Sequence, residues 1–226
     1  MIKPEHSIEE YDQLLDAAYV EYAAGDEDIP EAQLRQEFLV SGMWPELGWG
    51  VLMIAERALS EGDHDLLKAC VERFVRHSHL AFSQREGYGT ADLLFPALYS
   101  ALLGREYIQT HFHCASPLAQ GVYAPYVHAA NLMVITECGT WTHREQALAA
   151  ASSYLALKKP PAIGKAFVRF FLGLVEQDKA KASQAFSEFF DGYLKSDWGR
   201  YKPWTKPVFR EALRCFNFHG IGQAGG

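Results

Sequence analysis

Apolar residues recur at helical spacing along almost the whole chain, and the pattern is clearest between Ala162 and Leu194. Ile163, Ala166, Phe167, Phe170, Phe171, Leu174 and Val175 form one set. After the polar break Glu176-Gln177-Asp178-Lys179, the spacing resumes at Ala182, Ala185, Phe186, Phe189, Phe190, Tyr193 and Leu194. Steps of three and one place each set on one face of a helix. Two such helices joined by a short polar turn predict an antiparallel hairpin. Neither stripe can be buried by its own helix, so each must meet a neighbour.

The same reading covers the rest. Ser7 with Glu10 fits a capping box and opens a first helix, from Ser7 to Ala24, with Tyr11, Leu15 and Tyr19 in its stripe. Pro30 suits the start of a second helix that reaches about Ser41, and Trp44-Pro45 opens a third. Gly62 stops the third, and Asp63 caps a fourth that extends toward Phe82. A fifth helix from Leu93 stops at Gly104, and a short sixth is expected over Arg105 to Phe112. Cys114 to Gly121 reads as loop. A seventh helix runs from Tyr123 to Glu137, and Thr142 with Glu145 fits a second capping box at the start of an eighth. Lys158-Lys159-Pro160-Pro161 ends that one, and the opening hairpin follows. Asp197 to Pro207 is an aromatic connector, Val208, Leu213 and Phe216 suggest a short last helix, and residues 220–226 a loose tail. The breaks at Gly62, Gly104, Gly139 and Asp178 lie 42, 35 and 39 residues apart, in the range of helical-hairpin repeats. No run alternates with the period of a strand for more than a few residues. The expectation is one all-α domain over residues 1–226, an array of antiparallel hairpins with ten or eleven helices.

Composition adds limits. The chain is 49% hydrophobic and 22% charged, and no apolar run approaches the ~20 residues of a membrane span. Met1 to Glu5 has no basic start leading into an apolar core, so no secretory signal is expected. Cys70, Cys114, Cys138 and Cys215 stand far apart without a CxxC pair and read as reduced thiols, which points to the cytoplasm.

Charge is unevenly spread. Residues 1–34 carry ten acids and one base, whereas residues 158–215 carry twelve Lys/Arg and six Asp/Glu. An acidic end attracts basic proteins and repels nucleic acid. The same asymmetry is compatible with a solvated helix face or a self-complementary homodimer. Glu21, Asp26, Glu27, Asp28 and Glu31 are the densest part of it and the candidate partner-binding residues.

Candidate chemistry is sparse. There is no GxxxxGK[ST] and no GxGxxG, and Gly48-Trp49-Gly50 suits close helix packing instead. His111-Phe112-His113-Cys114 and His77-Ser78-His79 crowd possible ligands, but adjacent helical residues point in different directions. No metal and no cofactor is expected. No GxSxG or protease-like cysteine occurs. An Arg, four or five residues, then a His is the spacing of HEPN-type ribonucleases, where the cation holds phosphate and the imidazole moves a proton. Arg73/His79, Arg105/His111 and Arg214/His219 all match it, a modest excess over the roughly one match that eleven Arg and nine His supply by chance. Tyr193, Trp198, Tyr201 and Trp204 with Lys195, Arg200, Lys202 and Lys206 could stack on single-stranded nucleic acid, or equally form a packed loop or protein contact. In an acidic chain, packing or protein contact is the better expectation.

The hairpins over residues 93–112 and 163–194, with the runs Ala97 to Ile108 and Phe171 to Lys179, together with the acidic first helix, resemble the all-helical immunity proteins of bacterial polymorphic-toxin systems. The resemblance implies a cytoplasmic, non-catalytic protein that binds a cognate toxin, often a nuclease, and blocks its active site. It carries no catalytic residues onto this sequence. The alternatives are a HEPN-like ribonuclease and a helical-repeat scaffold without catalysis.

Overall fold

The computed structural model describes residues 3–24, 28–40, 43–82, 94–104, 118–120, 124–195 and 206–221. Every regular element among them is a helix: α1 (Ile8–Ala23), α2 (Glu31–Val40), α3 (Met43–Glu61), α4 (His64–Phe82), α5 (Leu94–Ser100), α6 (Ala124–Cys138), α7 (Arg144–Leu155), α8 (Ala162–Val175), α9 (Lys179–Lys195) and α10 (Lys206–Ile221). None of them is long and apolar enough to cross a membrane.

Several boundaries follow the local chemistry read from the sequence. The Ser7 hydroxyl accepts from the Glu10 backbone N–H at 3.1 Å, and the Glu10 carboxylate accepts from the Ser7 N–H at 2.6 Å, completing the capping box of α1. Asp63 caps α4 by accepting from Leu66 N–H, and Asp178 caps α9 by accepting from Lys181 N–H, each at 3.0 Å. Gly62 and Gly139, at φ of 74° and 66°, occupy the left-handed region that ends a helix at little cost without a Cβ.

Other boundaries differ. The Thr142/Glu145 box does not form: His143 is the N-cap of α7, no side chain caps it, and Glu145 accepts from Arg144 instead. α5 stops at Ser100, and the chain tightens into i→i−3 bonds from Ala101, Leu102 and Leu103 before Gly104. The last helix is not short: α10 has 16 residues and reaches Ile221, inside the expected tail. Pro207 causes no break because the first turn has no use for its missing N–H. The expected helix over 105–112, the turn at 87–90 and the connector over 197–205 lie outside the described residues.

Packing forms two groups of helices with two elements between them. α1, α2, α3 and α4 pack on one another, and α6, α7, α8 and α9 form consecutive packed pairs. α5 contacts α4, α6 and α10, while α10 contacts α3, α5, α8 and α9. The array therefore closes on itself through its last helix. Aromatic rings mark the seam: Tyr99 of α5 lies 5.0 Å from Phe74 of α4 and 6.1 Å from Phe209 of α10, and Phe209 meets Tyr193 of α9 at 5.5 Å.

The hairpin of α8 and α9 is core on its facing sides. Phe167 and Phe189 stack with centroids 4.8 Å apart, and Phe170 and Phe171 are fully buried. Gly173 lets the two backbones meet: a Cβ there would lie 2.8 Å from the backbone nitrogen of Ala182. α6 is buried all round from Ala129 to Ile135. Its one polar member in that run, Asn131, accepts from the Ala119 N–H at 2.9 Å and donates to the Ala119 carbonyl at 3.3 Å. Those two bonds satisfy a backbone segment that enters the core outside any helix.

Candidate functional site

The acidic end is assembled by α1, α2 and the link between them. Tyr11 and Tyr19 turn into the core, which leaves Gln13, Asp16, Ala17, Val20, Glu21 and Ala24 on the outer face of α1. Val20 is 68% exposed among these polar and small neighbours. Arg35 of α2 organises the acids nearest it. Its Nε donates to Glu31 at 3.0 Å, a guanidinium nitrogen lies 3.7 Å from Asp16, and the guanidinium sits 4.2 Å over the Tyr19 ring. One cation therefore ties α2 to α1 and offsets part of the local negative charge.

The five expected partner-binding residues separate accordingly. Glu21, in the last turn of α1, and Asp28, in the link, are exposed and form no ion pair among the described residues. Glu31 is exposed but engaged by Arg35. Asp26 and Glu27 lie outside the described residues. A second acid of the N-terminal run, Asp12, is also engaged: Arg73 of α4 donates to both its oxygens at 2.8–3.0 Å. Behind that pair the Tyr11 hydroxyl and His77 Nδ1 stand 3.4 Å apart in the core. Burial, then the Arg76 charge, push the His77 imidazole down to about 4, so it is neutral at ordinary pH.

Two of the arginines in the arginine–histidine pairs are engaged by acids. Arg73 is held by Asp12, and Arg214 pairs with Glu211 at 2.6 Å. The side chains of His79 and His219 lie outside the described residues, as do Arg105, His111, His113 and Cys114. The connector residues Trp198, Arg200, Tyr201, Lys202 and Trp204 also fall outside them, whereas Tyr193 is buried against Phe189. Among the described residues no three His, Cys, Asp or Glu side chains converge closely enough to hold a metal ion.

One polar junction carried no signal in the sequence pattern. The first turns of α6 and α8 meet where Pro125 packs against Gly164, and the Tyr154 ring from the end of α7 fills the space beside them. A Cβ on Gly164 would lie 2.7 Å from the Tyr154 hydroxyl and 2.8 Å from Pro125 Cγ. Tyr154 is 7% exposed, and His128 of α6 lies against it with ring centroids 5.0 Å apart. The Tyr154 hydroxyl and His128 Nδ1 are both buried without a hydrogen-bond partner. Burial raises the phenol and lowers the imidazole, so both are uncharged near neutral pH. The run Lys158-Lys159-Pro160-Pro161 reads in sequence only as a helix stop, and nothing in it announces the two orphaned groups nearby.

No family model matches the chain, and neither a curated protein nor a solved structure is significantly similar to it.

Proposed function

We propose that the chain is a cytoplasmic immunity protein that binds a basic bacterial toxin, a nuclease in the leading case, through its acidic end and covers the toxin's active site. The observation that supports this reading is that Glu21 and Asp28 are exposed and without an ion pair among the described residues, with the outward-facing Val20 next to Glu21 in the chain. Unpaired surface acids speed association with a basic partner, and an apolar residue among them supplies contact area that charge alone does not. Of the acids already engaged, Asp12 ties α1 to α4 through Arg73, and Glu31 pairs within α2 with Arg35, whose guanidinium also reaches Asp16 of α1.

The test starts from the neighbouring genes, where this reading expects a toxin with a nuclease domain, and uses that domain; a neighbourhood that encodes no toxin counts against the reading. Co-expression of the chain should restore growth to cells that make the toxin. Purified wild type should bind that domain with an affinity that falls steeply as salt rises. Glu21→Lys with Asp28→Lys should weaken binding and flatten the salt dependence. Failure of the wild type to protect, or an unchanged affinity and salt slope in the double variant, would overturn the proposal.

A further inference from the structure

We propose that α1 is an acid-released strap: proton uptake by His77 frees α1 from α4 as a unit while the rest of the bundle stays folded. The cluster that joins the two helices sits in the first half of α1. Tyr11 turns into the core, its ring stacked on the His77 imidazole with centroids 6.3 Å apart and its hydroxyl 3.4 Å from Nδ1. The next residue, Asp12, accepts three hydrogen bonds of 2.8–3.0 Å from Arg73, which stands one turn before His77 on α4. Little else holds the helix down. Of its 16 residues only Ile8, Tyr11 and Tyr19 are buried, whereas α8, with 14, buries nine. The further polar ties are longer: Arg35 lies 3.7 Å from Asp16, and Arg57 donates to the His6 carbonyl, just ahead of α1, at 3.4 Å. α1 packs on α2, α3 and α4, whereas the closure made by α10 runs through α3, α5, α8 and α9. A helix with few buried apolar side chains opens at lower cost than the core it rests on.

The surroundings of His77 link that opening to protons. Arg73 and Arg76 stand on its own helix, and Tyr11, Asp12 and Asp16 face it from α1. None of the charges acting most strongly on it comes from α2, α3 or α5. Asp12, the stronger of the two acids, is already committed to Arg73. A proton on this buried ring therefore puts a new cation beside Arg76 and the Arg73–Asp12 pair, out of reach of water. Lifting α1 removes Tyr11 from the imidazole and lets water reach it. The folded ring is held down at about 4 against an ordinary value of about 6.5, so the open state takes the proton first as pH falls. The effect is absent well above pH 6.5, grows towards pH 4, and makes opening about 30-fold easier at pH 5.0 than at pH 7.5. The release does not depend on what the acidic face binds.

The experiment is hydrogen exchange of the full chain, read by mass spectrometry on peptic peptides at pH 7.5 and pH 5.0 and corrected for intrinsic exchange rates. α1 should be less protected than the α8–α9 hairpin at both values, and its protection factors should fall about 30-fold at pH 5.0. His77→Gln keeps a neutral polar side chain and should leave α1 protection nearly level between the two. In case that variant does not fold, wild type is also followed in low guanidinium at pH 5.0. There α1 exchange should rise with a shallow slope and the hairpin's with a steep one, since opening one helix exposes less surface than unfolding the chain. Protection of α1 equal to the hairpin's or independent of pH, a pH dependence retained in His77→Gln, or one shared guanidinium slope would overturn the proposal.

Discussion

The closest backbone approach in the α8–α9 hairpin gives a sharp test of the packing. A Cβ added at Gly173 would lie 2.8 Å from the Ala182 nitrogen, 3.0 Å from its Cα and 3.1 Å from its Cβ. Ordinary contact begins near 3.4 Å, so the helices would have to separate by about 0.6 Å. Backbone cannot rotate away, and the separation would loosen the Phe167–Phe189 stack. Overpacking costs about 1–3 kcal/mol, and a clash with backbone that cannot turn aside takes the upper part, about 2–3 kcal/mol, against which alanine recovers about 1 kcal/mol of helix propensity. Gly173→Ala should therefore destabilise by about 1–2 kcal/mol, read as a lower urea midpoint with an unchanged slope. Gly192→Ala is the control. Its Cβ would meet Ile163 Cγ1 at the same 2.8 Å, but that atom belongs to a half-buried side chain that can turn. Gly192→Ala should cost less than Gly173→Ala. A Gly173→Ala variant as stable as wild type, or a reversed order of the two, would refute the close approach.

Two further expectations concern buried polar groups. His77 is neutral when folded, with its ionisation pushed down to about 4, so the unfolded chain takes up its proton first as pH falls. Stability should decline from about pH 6.5 towards pH 4, by at most about 3 kcal/mol, and His77→Leu should flatten that decline in urea midpoints measured across the range. A wild-type pH slope in the variant would show that other groups cause it. Asn131→Ala should cost about 2–3 kcal/mol, because both polar groups of Ala119 lose their partner in a buried setting; faster hydrogen exchange at the Ala119 amide should accompany the lower urea midpoint.

The legible part of this fold was what a short window can encode. The apolar spacing from Ile163 to Tyr193, the Ser7/Glu10 box and the Gly62-Asp63 break depend on neighbours within a few residues, and the structure contains all three. The Thr142/Glu145 motif has the same form but fails, because Arg144 takes the Glu145 carboxylate and the helix begins after His143. Partners distant in sequence were not legible. Arg73 claims Asp12 across 61 positions, Gly173 is required by Ala182 on the next helix, and Tyr154 meets His128 from another element. At the acidic end, the charge count identified a region but not which charges are free. Glu31 carries its own neutraliser four residues on, in Arg35, a spacing the sequence displays. The tie from Arg35 to Asp16 needs the fold.

The position of α10 has a consequence for how the molecule comes apart. In an open stack of hairpins, terminal units fray first and the middle survives, because each unit leans only on its neighbours. Here Val208, Phe209, Ala212 and Leu213 of the last helix are all buried, and that helix touches α3 and α5 as well as α8 and α9. Detaching it exposes both halves of the core at once. Loss of structure should accordingly be concerted, with one transition for probes in the N-terminal and C-terminal halves. The contact between α10 and α3 should also form late in folding, since a loop spanning most of the chain must close first.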